Sequence, residues 1–176
     1  MNREQLEHAI RAAGAISGDR ELYVVGSQSI LGPFPRAHPD LCRSMEVDIA
    51  PKNFPDREAI IEGSIGELSP FHETFGFCVD GVDLRTITLP HGWERRVIAV
   101  DNPNTNGFRG LCLDPGDLGV SKLAAGRPKD MAYLQVLVRE RIVTIAVLEQ
   151  RLAAVASLTQ EERSQLQSRL QALPRS

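Results

Sequence analysis

The stretch from Leu22 to Pro51, LYVVGSQSILGPFPRAHPDLCRSMEVDIAP, predicts two strands joined by a polar, proline-rich loop. Its first part, residues 22–25, is a short apolar run rich in β-branched side chains, which is typical of an inner strand. Gly26 and Ser27 then form a turn, and the prolines of the following loop exclude a long helix. The second strand begins near residue 45 and ends at Pro51, so the stretch supplies two strands of a sheet.

Two acids, Glu46 and Asp48, lie within the otherwise apolar second strand. Successive side chains of a strand alternate, so both carboxylates share one face while Met45, Val47 and Ile49 take the other. Paired carboxylates beside a sheet are costly unless positive charge lies between them, and a divalent cation supplies that charge. The alternative is a solvated edge strand with two outward acids, which the apolar flanking residues disfavour.

Segments on both sides of this stretch predict an α/β (α+β) fold. Apolar residues at helical spacing predict a first helix that ends at Gly14 or Gly18, and Pro55 with Asp56, the predicted N-cap, opens a second helix. Later runs with β-branched and aromatic residues predict strands at residues 75–80, 84–89 and 97–100. Together these elements indicate a mixed sheet of about five strands with helices packed on one side.

The chain after Cys112 predicts only helices, broken at glycine and proline and covering residues 118–126, 128–140, 144–158 and 159–173. The last of them begins with the capping box formed by Thr159 and Glu162. We therefore divide the chain into a main domain, residues 1–143, and a C-terminal helical extension, residues 144–176. The final helix is rich in Gln, Arg and Ser, so we expect it to lie outside the compact core.

Composition narrows the class of protein. The chain has 176 residues, of which 42% are hydrophobic, and its formal net charge of −3 provides no basic field for gripping nucleic acid non-specifically. Three widely spaced cysteines fit reduced thiols better than a disulfide framework or a zinc site. The charged N-terminus contains no signal-peptide core, and no run approaches membrane-spanning length. We expect a cytoplasmic protein without a membrane partner.

A second group of charged residues lies in the stretch 117–130, DLGVSKLAAGRPKD. Lys122 interrupts an apolar helix face, so it must either extend to solvent or meet an anion such as a triphosphate. Arg127, Lys129 and Asp130 follow at the helix break. For Arg127 and Lys129 alone, a solvated turn between two helices is the simpler interpretation.

These residues carry a resemblance to a known family. The turn at residues 23–27, the acid pair and above all the stretch 117–130 resemble the small bacterial nucleotidyltransferase-like proteins related to the AbiE-type abortive-infection toxins. The resemblance covers roughly residues 22–143. SPFHETFG at residues 69–76 and LPHGW at residues 89–93 are similar to an uncharacterised branch.

The resemblance implies a nucleotidyltransferase-like fold and a set of site residues. Glu46 and Asp48 would bind Mg²⁺ and act in catalysis, with Gly26 and Ser27 at the phosphates of a nucleoside triphosphate. It further implies Lys122 on the triphosphate, Asp130 as another active-site acid and Arg127 as a nucleotide-binding side chain.

This chain departs from the family pattern in three places. The first acid is Glu46 where aspartate is more usual, and Pro128 is unusual in its motif. The third carboxylate of such sites is not evident. Asp80 and Asp83 flank a glycine turn, so either could be that ligand or both could be turn formers, and the turn favours the second interpretation.

Three functions remain open from the sequence. The first is an Mg²⁺-dependent nucleotidyltransferase that moves a nucleoside monophosphate to a hydroxyl of RNA, protein or a small molecule, as the toxin of a pair with an antitoxin partner. The second is a catalytically weak regulatory module that binds a nucleotide or a partner. The third is a scaffold that forms a homodimer through its C-terminal helices.

Overall fold

A computed structural model of the chain describes residues 1–174, which form two compact units. The sheet unit contains Met1–Thr86 and Val97–Leu113, and the helical unit contains Ile87–Arg96 and the chain from Asp114 onward. Residues 175 and 176, at the end of the predicted extension 144–176, lie outside the described residues. The predicted domain boundary at residue 143 falls inside the helical unit. The division of the chain into separate domains, residues 1–143 and 144–176, stays a prediction.

The sheet unit is built on five strands, in the spatial order β3-β2-β1-β5-β4. Their bounds are β1 Glu21–Val24, β2 Glu46–Pro51, β3 Cys78–Gly81, β4 Ile98–Val100 and β5 Arg109–Cys112. β1 pairs antiparallel with β2 and parallel with β5, while β2 and β3 are parallel and β4 and β5 antiparallel. The predicted mixed sheet of five strands is confirmed.

One predicted strand is wrong. Residues 84–89 do not pair, because Leu84–Thr86 forms a short 3₁₀ turn in which the Thr86 amide donates to the Asp83 carbonyl. The fifth strand is instead β5, which contains Gly110 and so lacks a strand-like composition. A Cβ atom at Gly110 would lie 2.4 Å from Cδ1 of Ile10, so this glycine permits the first helix to pack closely on the strand.

Three helices belong to the sheet unit: α1 Arg3–Ser17, α2 Glu58–Ile65 and α3 Pro70–Phe75. α1 begins with a capping box from Asn2 and ends at Gly18, whose φ of 68° is the left-handed conformation that ends many helices. α1 packs against the central strands β1, β2 and β5, whereas α2 packs mainly against the edge strand β3. The predicted N-cap Asp56 is wrong, because a 3₁₀ turn precedes α2 and Arg57 occupies the cap position. α3 was not predicted from the sequence.

Four helices form the helical unit: α4 Pro115–Ala125, α5 Pro128–Arg139, α6 Ile145–Ala153 and α7 Gln160–Gln171. The capping box of Thr159 with Glu162 is confirmed at the start of α7. α7 packs on α4 and α6 and buries Leu166 and Leu170, so the expectation that it lies outside the compact core is wrong. Within residues 1–174, no helix combines the length and apolar character needed to cross a membrane.

Candidate functional site

Three carboxylates meet on the surface of the sheet. Glu46, Asp48 and Asp80 each offer one oxygen, and these oxygens all lie within 4.8 Å of one another. The strand register explains the geometry, because Asp48 on β2 is paired with Asp80 on the parallel neighbour β3. Glu46 lies two residues before Asp48, on the same face of β2. Strand pairing thus adds a third acid to the pair that the sequence predicted.

The acid-bearing strand is buried on its opposite face. Val47 and Ile49 are fully buried, whereas Glu46 is exposed and Asp48 is half-buried. The predicted alternation is confirmed for these four residues. It is wrong for Met45, which precedes β2 and is 39% exposed.

The glycine turn after β1 lies directly against Asp48. The Val25 amide donates to the Asp48 carbonyl at 2.9 Å, which continues the pairing of the two strands up to the turn. A Cβ atom at Gly26 would lie 1.4 Å from Oδ2 of Asp48, so only glycine leaves room for the carboxylate. Ser27 begins the 3₁₀ turn Ser27–Leu31. The predicted turn and the predicted acid pair are therefore neighbours in the fold.

A fourth acid, Glu62 of α2, contacts the cluster and was missed by the sequence reasoning. Its side chain is hydrogen-bonded to that of Asp80, and it accepts a hydrogen bond from the Gly81 amide at 3.1 Å. The hydrogen bond with Asp80, burial and the negative charges of Asp80 and Glu46 raise the pKa of Glu62 to about 7. The only sequence signal for Glu62 is that it directly follows an apolar residue of the predicted helix, Ile61, which the structure shows to be buried.

The charge of these acids also acts on Cys78 at the start of β3. Burial, followed by the charges of Glu46, Asp80, Glu67 and Glu62, raises the pKa of the Cys78 thiol to about 11. Without a bound metal the thiol therefore stays protonated at neutral pH, and hard cations such as Mg²⁺ prefer oxygen to sulfur. The donors that remain at the site are carboxylate oxygens.

The two acids that the sequence left as alternatives have different roles. Asp80 joins the carboxylate cluster, so the preference for a simple turn former is wrong for this residue. Asp83 does form a turn, since its carboxylate accepts hydrogen bonds from the amide and the guanidinium of Arg85. The cluster therefore contains Asp80 but not Asp83.

Three further predicted site residues meet in the helical unit. Lys122 Nζ lies 3.2 Å from Oδ1 of Asp130, and Arg127 Nε lies 2.6 Å from Oδ2 of the same carboxylate. The Lys122 ammonium also lies over the ring of Tyr133, 5.4 Å from its centroid. Burial alone would raise the pKa of Asp130, but hydrogen bonds and charge from Arg127 and Lys122 hold it below its usual value. Asp130 is therefore an ionised, doubly paired carboxylate.

The donors of the sheet cluster fit a divalent cation that prefers oxygen. Mg²⁺ and similar hard cations take carboxylate ligands, and three such groups converge on one face of two adjacent strands. The Gly26 turn leaves the space that Asp48 occupies in this arrangement. The residues present are thus chemically suited to Mg²⁺.

A mixed sheet with carboxylates on adjacent strands, beside a Gly-Ser turn, defines a nucleotidyltransferase-like protein. Over residues 4–172 the chain matches the family described as nucleotidyltransferase of unknown function (DUF6036), and it belongs to that family. No curated protein and no solved structure matches the chain. The match includes α1 and α7, which the resemblance over residues 22–143 left out. The relation to AbiE-type toxins stays a prediction.

Proposed function

We propose that this protein is an Mg²⁺-dependent nucleotidyltransferase that transfers a nucleoside monophosphate from a nucleoside triphosphate to a hydroxyl group. The observation that carries the proposal is the convergence of Glu46, Asp48 and Asp80 on one face of two adjacent strands. Membership of a nucleotidyltransferase family supports the general reaction class and a nucleoside triphosphate as substrate.

Each part of the site has a proposed task. Glu46, Asp48 and Asp80 would hold the cation, and Mg²⁺ bound there would neutralise charge on the triphosphate oxygens. The backbone amides after Gly26 and the Ser27 hydroxyl would donate hydrogen bonds to the phosphates. The resemblance adds Lys122 as a triphosphate contact, with Arg127 and Asp130 in the same group of side chains.

Deprotonation of the acceptor is the remaining step for the protein. The attacking hydroxyl loses its proton as it bonds to the α-phosphorus, and pyrophosphate leaves. An ionised carboxylate of the cluster can accept that proton if the hydroxyl lies within hydrogen-bond reach. Holding both reactants at one place on the sheet makes the reaction effectively unimolecular, which accounts for a large part of the rate enhancement of such enzymes.

The central test is nucleotide binding with and without Mg²⁺, measured by calorimetry and thermal shift. We expect Mg²⁺ and a nucleoside triphosphate together to raise the melting temperature of the wild type, because a ligand that binds only the folded state stabilises it. Asp48→Asn should abolish the effect. Asp83→Asn is the matched control, since it makes the same chemical change at an acid outside the cluster, and it should behave like the wild type.

Two outcomes would contradict the proposal. If the wild type shows no metal-dependent nucleotide effect, the nucleotide hypotheses fail and a scaffold with solvated acids remains. If binding occurs but no label passes from α-³²P nucleotides to any acceptor, the protein is a binding module rather than an enzyme.

The acceptor and the biological role are proposals that rest on the resemblance. We propose a cytoplasmic enzyme whose acceptor is a hydroxyl of RNA, protein or a small molecule, and which acts as a toxin paired with an antitoxin. Expression of the wild type in a bacterial host should then arrest growth, whereas Asp48→Asn should not. Light scattering tests the predicted homodimer separately. Unimpaired growth on expression of soluble wild-type protein would contradict the toxin role and leave the enzymatic proposal intact.

A further inference from the structure

Asp130 is a carboxylate with little access to solvent or substrate. Only 1% of the residue is exposed. Oδ1 faces Lys122 Nζ at 3.2 Å and Arg127 Nη2 at 3.3 Å, while Oδ2 accepts from Nε of Arg127 at 2.6 Å and from its backbone amide at 3.3 Å. Both oxygens are therefore engaged by cationic or backbone donors.

Lys122 is held as closely as its partner. Its side chain is 11% exposed, and the ammonium lies 3.2 Å from Oδ1 of Asp130 and 5.4 Å from the centroid of the Tyr133 ring. An ammonium has three N–H donors, so one hydrogen bond to Asp130 leaves capacity for an anionic ligand. A lysine fixed in this way loses less side-chain entropy on binding phosphate than a free one.

We propose that Asp130 is a positioning residue, which holds the Lys122 ammonium in place for the phosphates of the nucleotide and takes no part in proton transfer. This inference rests on the proposed function, because it assumes that Lys122 binds the triphosphate. It differs from the role of active-site acid that the resemblance implies.

The surroundings of Asp130 oppose a role as general base. A general base must come within about 2.6–3.2 Å of the group whose proton it accepts. The two oxygens of Asp130 already accept from Arg127 and Lys122, and one of these bonds comes from the Arg127 backbone amide at the N-cap of α5. Its depressed pKa also makes it a weak base. Arg127 thus fixes the carboxylate, and the carboxylate fixes Lys122.

A double-mutant cycle on nucleotide affinity tests the inference. Lys122→Ala, Asp130→Asn and the double variant are compared with the wild type by calorimetry in the presence of Mg²⁺. We expect each single variant to bind the nucleotide about tenfold more weakly, and we expect the two losses not to add, because contacting residues couple. Because Asp130 acts through Lys122, Asp130→Asn should cause no further loss in the Lys122→Ala background.

Asp114→Asn is the matched control. It makes the same chemical change at the N-cap of α4, the helix that carries Lys122, where asparagine caps as well as aspartate. This variant should keep wild-type affinity and melting temperature. If Asp130→Asn does not fold, as judged by its melting curve, Asp130→Glu replaces it in the cycle. That variant keeps the charge but displaces it, and the same pattern of loss is expected.

A pH profile of nucleotidyl transfer separates positioning from proton transfer. For a positioning residue, Asp130→Asn should raise KM for the nucleotide and leave the acidic limb of the kcat profile in place. Loss of that limb with KM unchanged would overturn the inference in favour of a catalytic acid or base.

The possible failures are distinguishable. If the wild type does not bind a nucleotide at all, the proposed function fails and this inference fails with it. If Lys122→Ala weakens binding but Asp130→Asn does not, or if the two losses add, the positioning role is wrong while the proposed function stands.

Discussion

Gly26 lies so close to the Asp48 carboxylate that any side chain at residue 26 would overlap with it. The turn after β1 and the acid strand β2 meet there, with the Val25 amide bonded to the Asp48 carbonyl. Around this point the acids of the cluster lie close enough to repel one another in the absence of a cation. At the residue scale, the site depends on the absence of a side chain at Gly26 and on positive charge that offsets the carboxylates of the cluster.

Substitution of Gly26 by alanine should damage the site. The new Cβ would lie 1.4 Å from Oδ2 of Asp48, so the carboxylate or the turn must move. We expect Gly26→Ala to weaken Mg²⁺-dependent nucleotide binding by at least about tenfold and to lower the free energy of unfolding by about 1–3 kcal/mol, the usual cost of overpacking. Calorimetry and urea unfolding measure the two effects.

Gly63→Ala is the control for that substitution. A Cβ atom at Gly63 of α2 would meet nothing within 4 Å. Because alanine favours a helix over glycine, this variant should be more stable by about 0.5–1 kcal/mol and should bind the nucleotide as the wild type does. Equal behaviour of the two alanine variants would show that Asp48 does not depend on the space at Gly26.

Glu62 predicts a pH dependence of stability in the metal-free protein. Its pKa rises from 4.5 to about 7 on folding, so between these values the folded state holds more protons than the unfolded state. The contribution of Glu62 to stability is therefore complete below about pH 4.5 and is lost as the pH rises through about 7. Melting temperatures measured from pH 5 to pH 8 should fall more steeply for the wild type than for Glu62→Gln.

A parallel pH dependence in the two proteins would contradict this account of Glu62. The measurement needs a chelator, because a cation near Asp80 would replace the proton as the source of positive charge. The same experiment on Asp80→Asn should resemble that on Glu62→Gln, since it removes the first cause of the raised pKa.

At the scale of elements, a buried carboxylate that pairs with two arginines connects parts of the helical unit. Asp117 of α4 is completely buried and accepts hydrogen bonds from Nε and Nη2 of Arg96 at 2.8 and 3.0 Å. Nε of Arg151 in α6 lies 3.2 Å from Oδ1 of the same carboxylate. One acid of the stretch 117–130 thus joins α4, α6 and the segment before β4, and it serves structure rather than chemistry.

Removal of that acid should destabilise the protein strongly. Asp117→Ala leaves the charges of Arg96 and Arg151 partly buried without their counterion, which typically costs about 3–5 kcal/mol. Urea unfolding measures the loss. Asp40→Ala is the comparison, because it breaks an exposed pair with Arg43 and should cost no more than about 1 kcal/mol. Similar losses of unfolding free energy in the two variants would show that burial does not increase the contribution of the Asp117 ion pairs to stability.

At the scale of the whole molecule, charge is unevenly divided between the two units. Of the 23 acidic residues, fifteen belong to the sheet unit, while eleven of the 20 basic residues belong to the helical unit. The overall charge stays at −3. The excess of acid in the sheet unit agrees with a cation site there and opposes a long phosphate-backbone footprint on that unit.

The protein should therefore bind random duplex DNA poorly. We expect a dissociation constant weaker than about 10⁻⁴ M at physiological salt, because proteins that bind DNA non-specifically reach 10⁻⁴–10⁻⁶ M by neutralising many phosphates. Fluorescence anisotropy at two salt concentrations provides the measurement. Micromolar binding with a steep salt dependence would reveal a basic surface that the net charge conceals.

Elements whose bounds depend on nearby residues are predictable from the sequence. The end of α1, the break between α4 and α5 and the start of α7 follow from Gly18, Gly126 and the Thr159 capping box, which act within one turn of their own position. Strands that depend on hydrogen bonding between distant segments are not predictable in this way. The strand expected at residues 84–89 proved to be a turn, and β5 is a strand because β1 and β4 pair with it.

The sequence by itself determined that Glu46 and Asp48 share one face of a strand, because alternation is a local property of extended backbone. The Gly26 turn and the stretch 117–130 also carried a resemblance to nucleotidyltransferase-like proteins, and the family match over residues 4–172 confirms that general class. Only the tertiary structure decided that Asp80 completes the carboxylate cluster and that Glu62 bonds to it, since strand register and helix packing bring them together. The pairing of Lys122 with Asp130 likewise appears only when α4 and α5 are packed, because the charge balance of a buried lysine depends on neighbours that the linear sequence does not fix.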